Sequence, residues 1–273
     1  MNASMAHIVR RLPVAMLLLA VSVSGCASKS QPAQLWSAAA IAQHPNQLIS
    51  IKDKPKGKII AVLNTTDVIN MISVKERVER AAGQLRINLL VVDSPVPNGF
   101  SFATHNIPNV AITVGMINLL GQDQDAMAAL IGHELAHLYL KHGNSRIKRE
   151  ENRILASSLV SFALVMVGVP MPMSVTDAAS TSVTKSFSRE DEGEADQFGI
   201  EFMARAGFDP WGAVRLQEHM SKSGGALLPF MSTHPSGSER VENMKQLALN
   251  TPQEQPMAET PNALPPNPAP PLN

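Results

Sequence analysis

At 273 residues, 44% of them hydrophobic, the chain can bury one substantial core, and a second independent domain is not expected. Its 23 basic residues balance 23 acidic ones and aromatics make up only 4%, which excludes the basic, aromatic-studded surfaces that grip nucleic acid. The single cysteine, Cys26, excludes an intrachain disulfide.

In chain order, Arg10 and Arg11 precede an apolar run from Leu12 to Val23, followed by Ser24-Gly25-Cys26. A charged start, a short apolar stretch and small residues read as a secretory signal, too short for a comfortable membrane span. Val23-Ser24-Gly25-Cys26 resembles a bacterial lipobox. That implies a signal peptide over 1–25, lipidation at Cys26 and a membrane tether, since each buried acyl methylene contributes about 0.8 kcal/mol. By resemblance to bacterial sorting signals, Ala27 in place of Asp implies the outer membrane, with the protein facing the periplasm. Residues 26–50 are rich in Ser, Gln, Ala and Pro and read as a tether, with a short helix around Leu35 to Ala42.

The domain is expected over 51–250. Apolar residues at helical spacing (Val68, Ile69, Ile72, Val78, Leu85) predict a helix from Asp67 to Arg86. Ile87 to Val92 and Asn109 to Val114 read as strands. Asp123 can cap a helix that runs to His142, with Gly143 as its stop. Another helix is expected from Ser145 toward Gly168; its apolar half, Ile154 to Val169, reads as buried rather than membrane-spanning. Further helices are predicted over Ala178 to Ala206, from Asp209-Pro210 to about Met220, and from Glu239 to Leu249. Residues 251–273 hold eight prolines and no aromatic, the composition of a disordered tail. The fold class is therefore α+β, mostly helical with a small sheet.

His133-Glu134-Leu135-Ala136-His137 fits the H-E-x-x-H pattern. Residues four apart share one helix face, so both imidazoles can hold one zinc ion. Glu134, about 100° round, borders that face and can act as base on a water at the metal. Leu130, Ile131, Leu135 and Leu138 can bury the other side. Two histidines do not complete a zinc site, so a third ligand is required. His142 lies about 140° round an unbroken helix from His137 and so would point away; a role at the helix C-terminus is expected for it. Glu190, Asp191, Glu192 and Glu194 are all eligible by spacing. Glu192 and Asp196 project together, so one can bind zinc while the other holds a ligating histidine by its second nitrogen.

Three ordered motifs carry a family resemblance over about residues 67–249. They are Ile131-Gly132-His133-Glu134-Leu135-Ala136-His137, Ser188-Arg189-x-x-Glu192-x-x-Ala195-Asp196, and Thr233-His234-Pro235 followed by Glu239-Arg240. The chain resembles the HtpX-like and CAAX-prenyl-protease-like zinc endopeptidases (metallopeptidase family forty-eight), in particular their bacterial periplasmic branch. The resemblance implies a gluzincin-type domain and one Zn2+ per chain. It also implies Glu192 as the third ligand, Asp196 as support for a zinc histidine, and Asn98-Gly99-Phe100-Ser101-Phe102 as a substrate-binding edge. The glycine the family carries after this stretch is absent, with His105-Asn106 near its place. For His234 it implies either a fourth ligand that gates the site or an oxyanion donor. Tyr139, about 200° round from His137, faces away, which leaves His234 and Arg240 as oxyanion candidates. The implied activity is endoproteolysis of misfolded or unassembled envelope proteins; assembly chaperoning beside the outer-membrane assembly machinery is the rival from another class.

Overall fold

The computed structural model describes residues 34–53, 56–145, 148, 186–225 and 228–254. The expectations for the signal peptide, Cys26, the apolar stretch 154–169 and the tail beyond 254 lie outside these residues. The first described elements are β1 (Leu35–Ser37) and α1 (Ala38–Ala42). The hairpin β2 (Leu48–Lys52) and β3 (Ile59–Asn64) leads into α2 (Thr65–Ala81). Strands β4 (Asn88–Val92), β5 (Gly99–Thr104) and β6 (Ile107–Thr113) follow, then α3 (Val114–Leu120) and α4 (Gln124–Tyr139). The last described elements are α5 (Arg189–Arg205), α6 (Gly212–Lys222), α7 (Pro229–Thr233) and α8 (Ser238–Asn250). The α+β, mostly helical class expected from the sequence is the class observed.

The main sheet has the order β1-β4-β6-β5. β4 and β6 run parallel, whereas β1 and β5 are antiparallel to their neighbours. Among the described residues β5 is therefore an edge strand. Its turn into β6, His105-Asn106, has positive φ at both residues (51° and 63°), the signature of a two-residue hairpin whose twist matches the sheet. That turn does without the glycine that the family carries near this place.

Residues 35–50 correct the tether reading, although the short helix expected around Leu35 to Ala42 is present as α1. β1 pairs with β4 through Trp36 opposite Val91, and Ala38 and Ile41 are buried in the core. Averaged over the window, Ser, Gln and Pro masked a few well-spaced apolar anchors. The hairpin of β2 and β3 escaped the sequence reading too, although its β-branched runs flank a Lys-Pro-Lys-Gly stretch. Helix α2 stops at Ala81, short of the expected Arg86, because Gly83 and Gln84 take left-handed φ values of 79° and 70°. Helix α5 begins at Arg189 rather than Ala178. Ser188 accepts from the Asp191 amide while the Asp191 carboxylate accepts from the Ser188 amide, a capping box that fixes the start.

Helix α4 is the axis of the domain. Every residue from Ala126 to His137 is buried, which places protein on all its sides. Its start is fixed by Asp123, whose side chain accepts from the Ala126 amide. Against it lies α5, and the contact is backbone to backbone. A Cβ on Gly132 would sit 2.7 Å from the Gly199 carbonyl oxygen, and one on Gly199 would sit 2.9 Å from the His133 amide nitrogen. Two glycines thus bring α5 close enough for its carboxylates to reach the α4 histidines.

Candidate metal centre

His133 and His137 lie one turn apart on α4, as the motif requires, with their Nε2 atoms 3.1 Å apart. Glu192, near the start of α5, brings Oε1 to 3.5 Å from His137 Nε2 and Oε2 to 3.6 Å from His133 Nε2. His234 follows α7 and enters the same cluster. Its Nδ1 is 3.1 Å from His133 Nε2 and 3.0 Å from Glu192 Oε1. One ligand atom from each of these four buried residues lies within 4.8 Å of all the others.

The outer nitrogen of His133 is occupied. Its Nδ1 donates to Asp196 Oδ1 at 3.0 Å, and Arg240 donates to both oxygens of the same carboxylate at 2.6 and 2.8 Å. Asp196 thus orients His133 and is itself oriented by Arg240. The remaining nitrogen of Arg240, Nη1, forms an ion pair with Glu192 Oε2 at 2.5 Å and reaches the carbonyls of His234 and Pro235 at 3.4 and 3.0 Å. Its nitrogens thus hold Asp196, the carboxylate of Glu192 and the loop that carries His234.

The electrostatics follow from burial against partners. Burial alone would lower the pKa of His133, but the hydrogen bond to Asp196 and the charge of Glu192 outweigh it, and the net shift is upward. For His137 burial wins, with His133 and His234 adding to it, and the pKa falls to about 4. Burial would raise Glu192, yet hydrogen bonds from His137 and His234 hold it far below the usual carboxylate range. Burial opposes ionisation of Asp196 too, and Arg240 and His133 overcome it.

Do these residues fit zinc? A tetrahedral zinc with bonds of about 2.0–2.1 Å places its ligand atoms roughly 3.3 Å apart. The spacings of 3.0 to 3.6 Å among the four residues bracket that value. Three imidazole nitrogens converging on one buried carboxylate is a donor set that a divalent cation satisfies. Glu134 adds a second signal. Both its carboxylate oxygens are buried without a hydrogen-bond partner, although His234 Nε2 stands 3.3 Å from Oε1 at an unsuitable angle. A carboxylate left open beside a metal-ligand cluster is poised for a water or a substrate.

The sequence profile described as Peptidase family M48 matches residues 68–248. The chain belongs to this family. It is 33% identical over 159 residues to the mitochondrial metalloendopeptidase OMA1 of Arabidopsis thaliana, covering 58% of this chain and 31% of that protein. It is 28% identical over 137 residues to the beta-barrel assembly-enhancing protease of Yersinia pestis, covering 46% and 28%. With metalloprotease LoiP of Escherichia coli it shares 23% over 164 residues, covering 58% and 62%. The chain thus spans from under a third to about three-fifths of these relatives. The family fits what is seen: a mostly helical gluzincin-type domain whose histidine and glutamate cluster is built to hold zinc.

Within this M48 domain, His133, Glu134, His137, Glu192, Asp196 and His234 come together, while Tyr139 turns outward and packs against Phe198 and Phe202. Asn98 to Phe102 runs into β5, where a Cβ on Gly99 would press on Leu130 of α4 at 3.0 Å. The edge strand is therefore seated against the metal-bearing helix. His142 is a correction. The helix ends at Tyr139 with Leu140 as cap, and Lys141 takes φ 58°. The chain then folds back, so His142 is buried with Nδ1 2.9 Å from His137 Nδ1. The 140° offset assumed a helix that did not stop. Phe187 was missed as well: its ring stacks on His137 with centroids 3.9 Å apart. No motif signalled it, because the stacking depends on a loop closing against α4.

Proposed function

We propose that the protein is a zinc endopeptidase of the bacterial envelope whose active site is closed by His234 in the conformation described. The observation that supports this is the ring of His234. It bridges the ligand cluster through Nδ1 and approaches Glu134 through Nε2, and so fills the space an attacking water needs. Zinc held by His133, His137 and Glu192 would polarise the scissile carbonyl and acidify a water. Glu134 has a free carboxylate on that side. It takes the proton of the attacking water and hands it to the departing amine nitrogen. Substrate enters extended along the free edge of β5, from Asn98 to Phe102, by backbone pairing. Membrane attachment comes from lipidation of Cys26, a reading supported by the lipobox-like Val23-Ser24-Gly25-Cys26. The substrates are unfolded or misassembled envelope proteins, a reading supported by the lipobox and by relatives such as LoiP and the assembly-enhancing protease.

The closed site also supports a second reading, an outer-membrane assembly chaperone whose proteolysis is held in reserve. Zinc content and cleavage of an unfolded protein such as casein, measured for wild type, Glu134→Gln and His234→Ala, test both. Glu134→Gln should keep one zinc and lose cleavage by at least about 100-fold. His234→Ala should keep zinc and cleave faster than wild type; slower cleavage would make His234 an oxyanion donor rather than a gate. A Glu134→Gln variant that still restores envelope assembly in a deletion strain would favour the chaperone.

A further inference from the structure

His133 has its outer nitrogen fixed by a carboxylate of α5. His137 needs the same service, and the structure provides it through a different route. After Lys141 reverses the chain, the Asn144 amide bonds back to the Lys141 carbonyl at 3.0 Å, and His142 is tucked under the end of α4. Its Nδ1 meets His137 Nδ1 at 2.9 Å and its Nε2 meets Glu194 Oε2 at 3.0 Å. His142 is buried, whereas the Glu194 side chain is 52% exposed.

The directions of these bonds follow from the chemistry of neutral imidazole, which carries one donor and one acceptor nitrogen. His137 presents Nε2 to the metal cluster, so when it binds a metal that nitrogen must offer its lone pair. Its proton therefore sits on Nδ1 and is donated to His142 Nδ1. His142 then carries its own proton on Nε2 and donates it to Glu194, which can only accept. Every nitrogen in the chain is satisfied in one sense only, and that sense leaves His137 Nε2 free to ligate. Phe187, stacked on His137 at 3.9 Å, fixes the plane of the ring while the bond fixes its rotation.

We propose that His142 and Glu194 are positioning residues for the metal centre, acting on His137 as Asp196 acts on His133. Neither touches the metal or the substrate. His142 sets the tautomer and angle of His137, and Glu194 sets the tautomer of His142. Outer partners of this kind typically contribute 10- to 100-fold in metal affinity. The inference rests on the reading of the cluster as a zinc site.

The test is zinc affinity, measured by competition with a chelator of known strength, on the full chain. Three variants are compared with wild type, each beside a thermal melt of its zinc-free form. His142→Leu removes the acceptor while keeping bulk and should weaken zinc binding roughly 10- to 100-fold. His142→Asn places an oxygen where Nδ1 stood and should recover most of that loss, which a purely structural role for the imidazole would not predict. Glu194→Ala, where water can replace the carboxylate, should weaken binding by less, roughly 3- to 10-fold, with an unchanged zinc-free melt. Should His142→Leu fail to fold, the Asn and Glu194 variants carry the test. Wild-type affinity in both Glu194→Ala and a folded His142→Leu would overturn the proposal while leaving the zinc site intact. If wild type binds no zinc, the reading of the cluster fails instead.

Discussion

Asp196 illustrates how much of this centre is set by atoms that never reach the metal. Its carboxylate is buried, held on one side by the Arg240 fork and bonded on the other to His133. Replacing it by Asn keeps the shape and one acceptor but removes the charge that matches both partners. The His133 donor would meet a weaker acceptor, and Arg240 would be left buried with an incomplete counter-charge. We expect Asp196→Asn to lower zinc affinity by roughly 10- to 100-fold, readable by chelator competition, with cleavage falling in parallel at limiting zinc. Because Arg240 also ties down the carbonyls of His234 and Pro235, the same variant should loosen the gate. At saturating zinc its activity should therefore fall less than its affinity does.

At the scale of elements, the centre depends on how closely α5 lies on α4. Gly132 and Gly199 set that distance, and a Cβ on either would stand within 3 Å of backbone atoms across the interface. Backbone cannot rotate away as a side-chain end can. Gly199→Ala should therefore push α5 outward, cost about 1–3 kcal/mol as overpacking does, and draw Glu192 and Asp196 away from the histidines. A lowered melting temperature together with reduced zinc content would bear this out; a stability loss with normal zinc binding would refute the positional argument. The same two helices show what was legible in the sequence. The H-E-x-x-H spacing brought two histidines and Glu134 to one cluster because one helical period decides it, and the strands at 88–92 and 107–113 showed as apolar runs. Spacing could not choose among Glu190, Asp191, Glu192 and Glu194, since that choice is made by the depth at which α5 docks. Nor could it foresee His142, whose position follows from one left-handed residue, Lys141, that carries no sequence mark. The small hairpin and β1 were hidden for a simpler reason: three to six residues are too few to outweigh the polar composition around them.

For the molecule as a whole, the histidines of the metal centre make the stability of protein stripped of metal depend on pH in two opposed ways. His137 has its pKa pushed down to about 4 by burial, against about 6.5 when unfolded. Between these values the unfolded chain binds the proton and the folded one does not, so metal-free stability falls as pH drops through this window. At about 1.4 kcal/mol per pKa unit, the full loss is roughly 3–4 kcal/mol, and the lowered pKa values of Glu192 and Asp196 extend it below about pH 4. His133 behaves oppositely. Its raised pKa, sustained against burial by Asp196 and Glu192, gives stability that is complete below about 6.5 and is lost as pH rises through the folded value. Metal-free protein should therefore be most stable near pH 6.5. Zinc competes with the proton on His133, so raising the pH through that value strengthens binding and offsets the alkaline loss. Thermal melts from pH 4 to 9, with chelator and with zinc, should give a maximum in the first series. The second should plateau above pH 6.5, with a gap between the two that widens as pH rises. A gap that stays constant with pH would mean that His133 carries no competing proton, and that Asp196 orients the ring without raising its affinity for one.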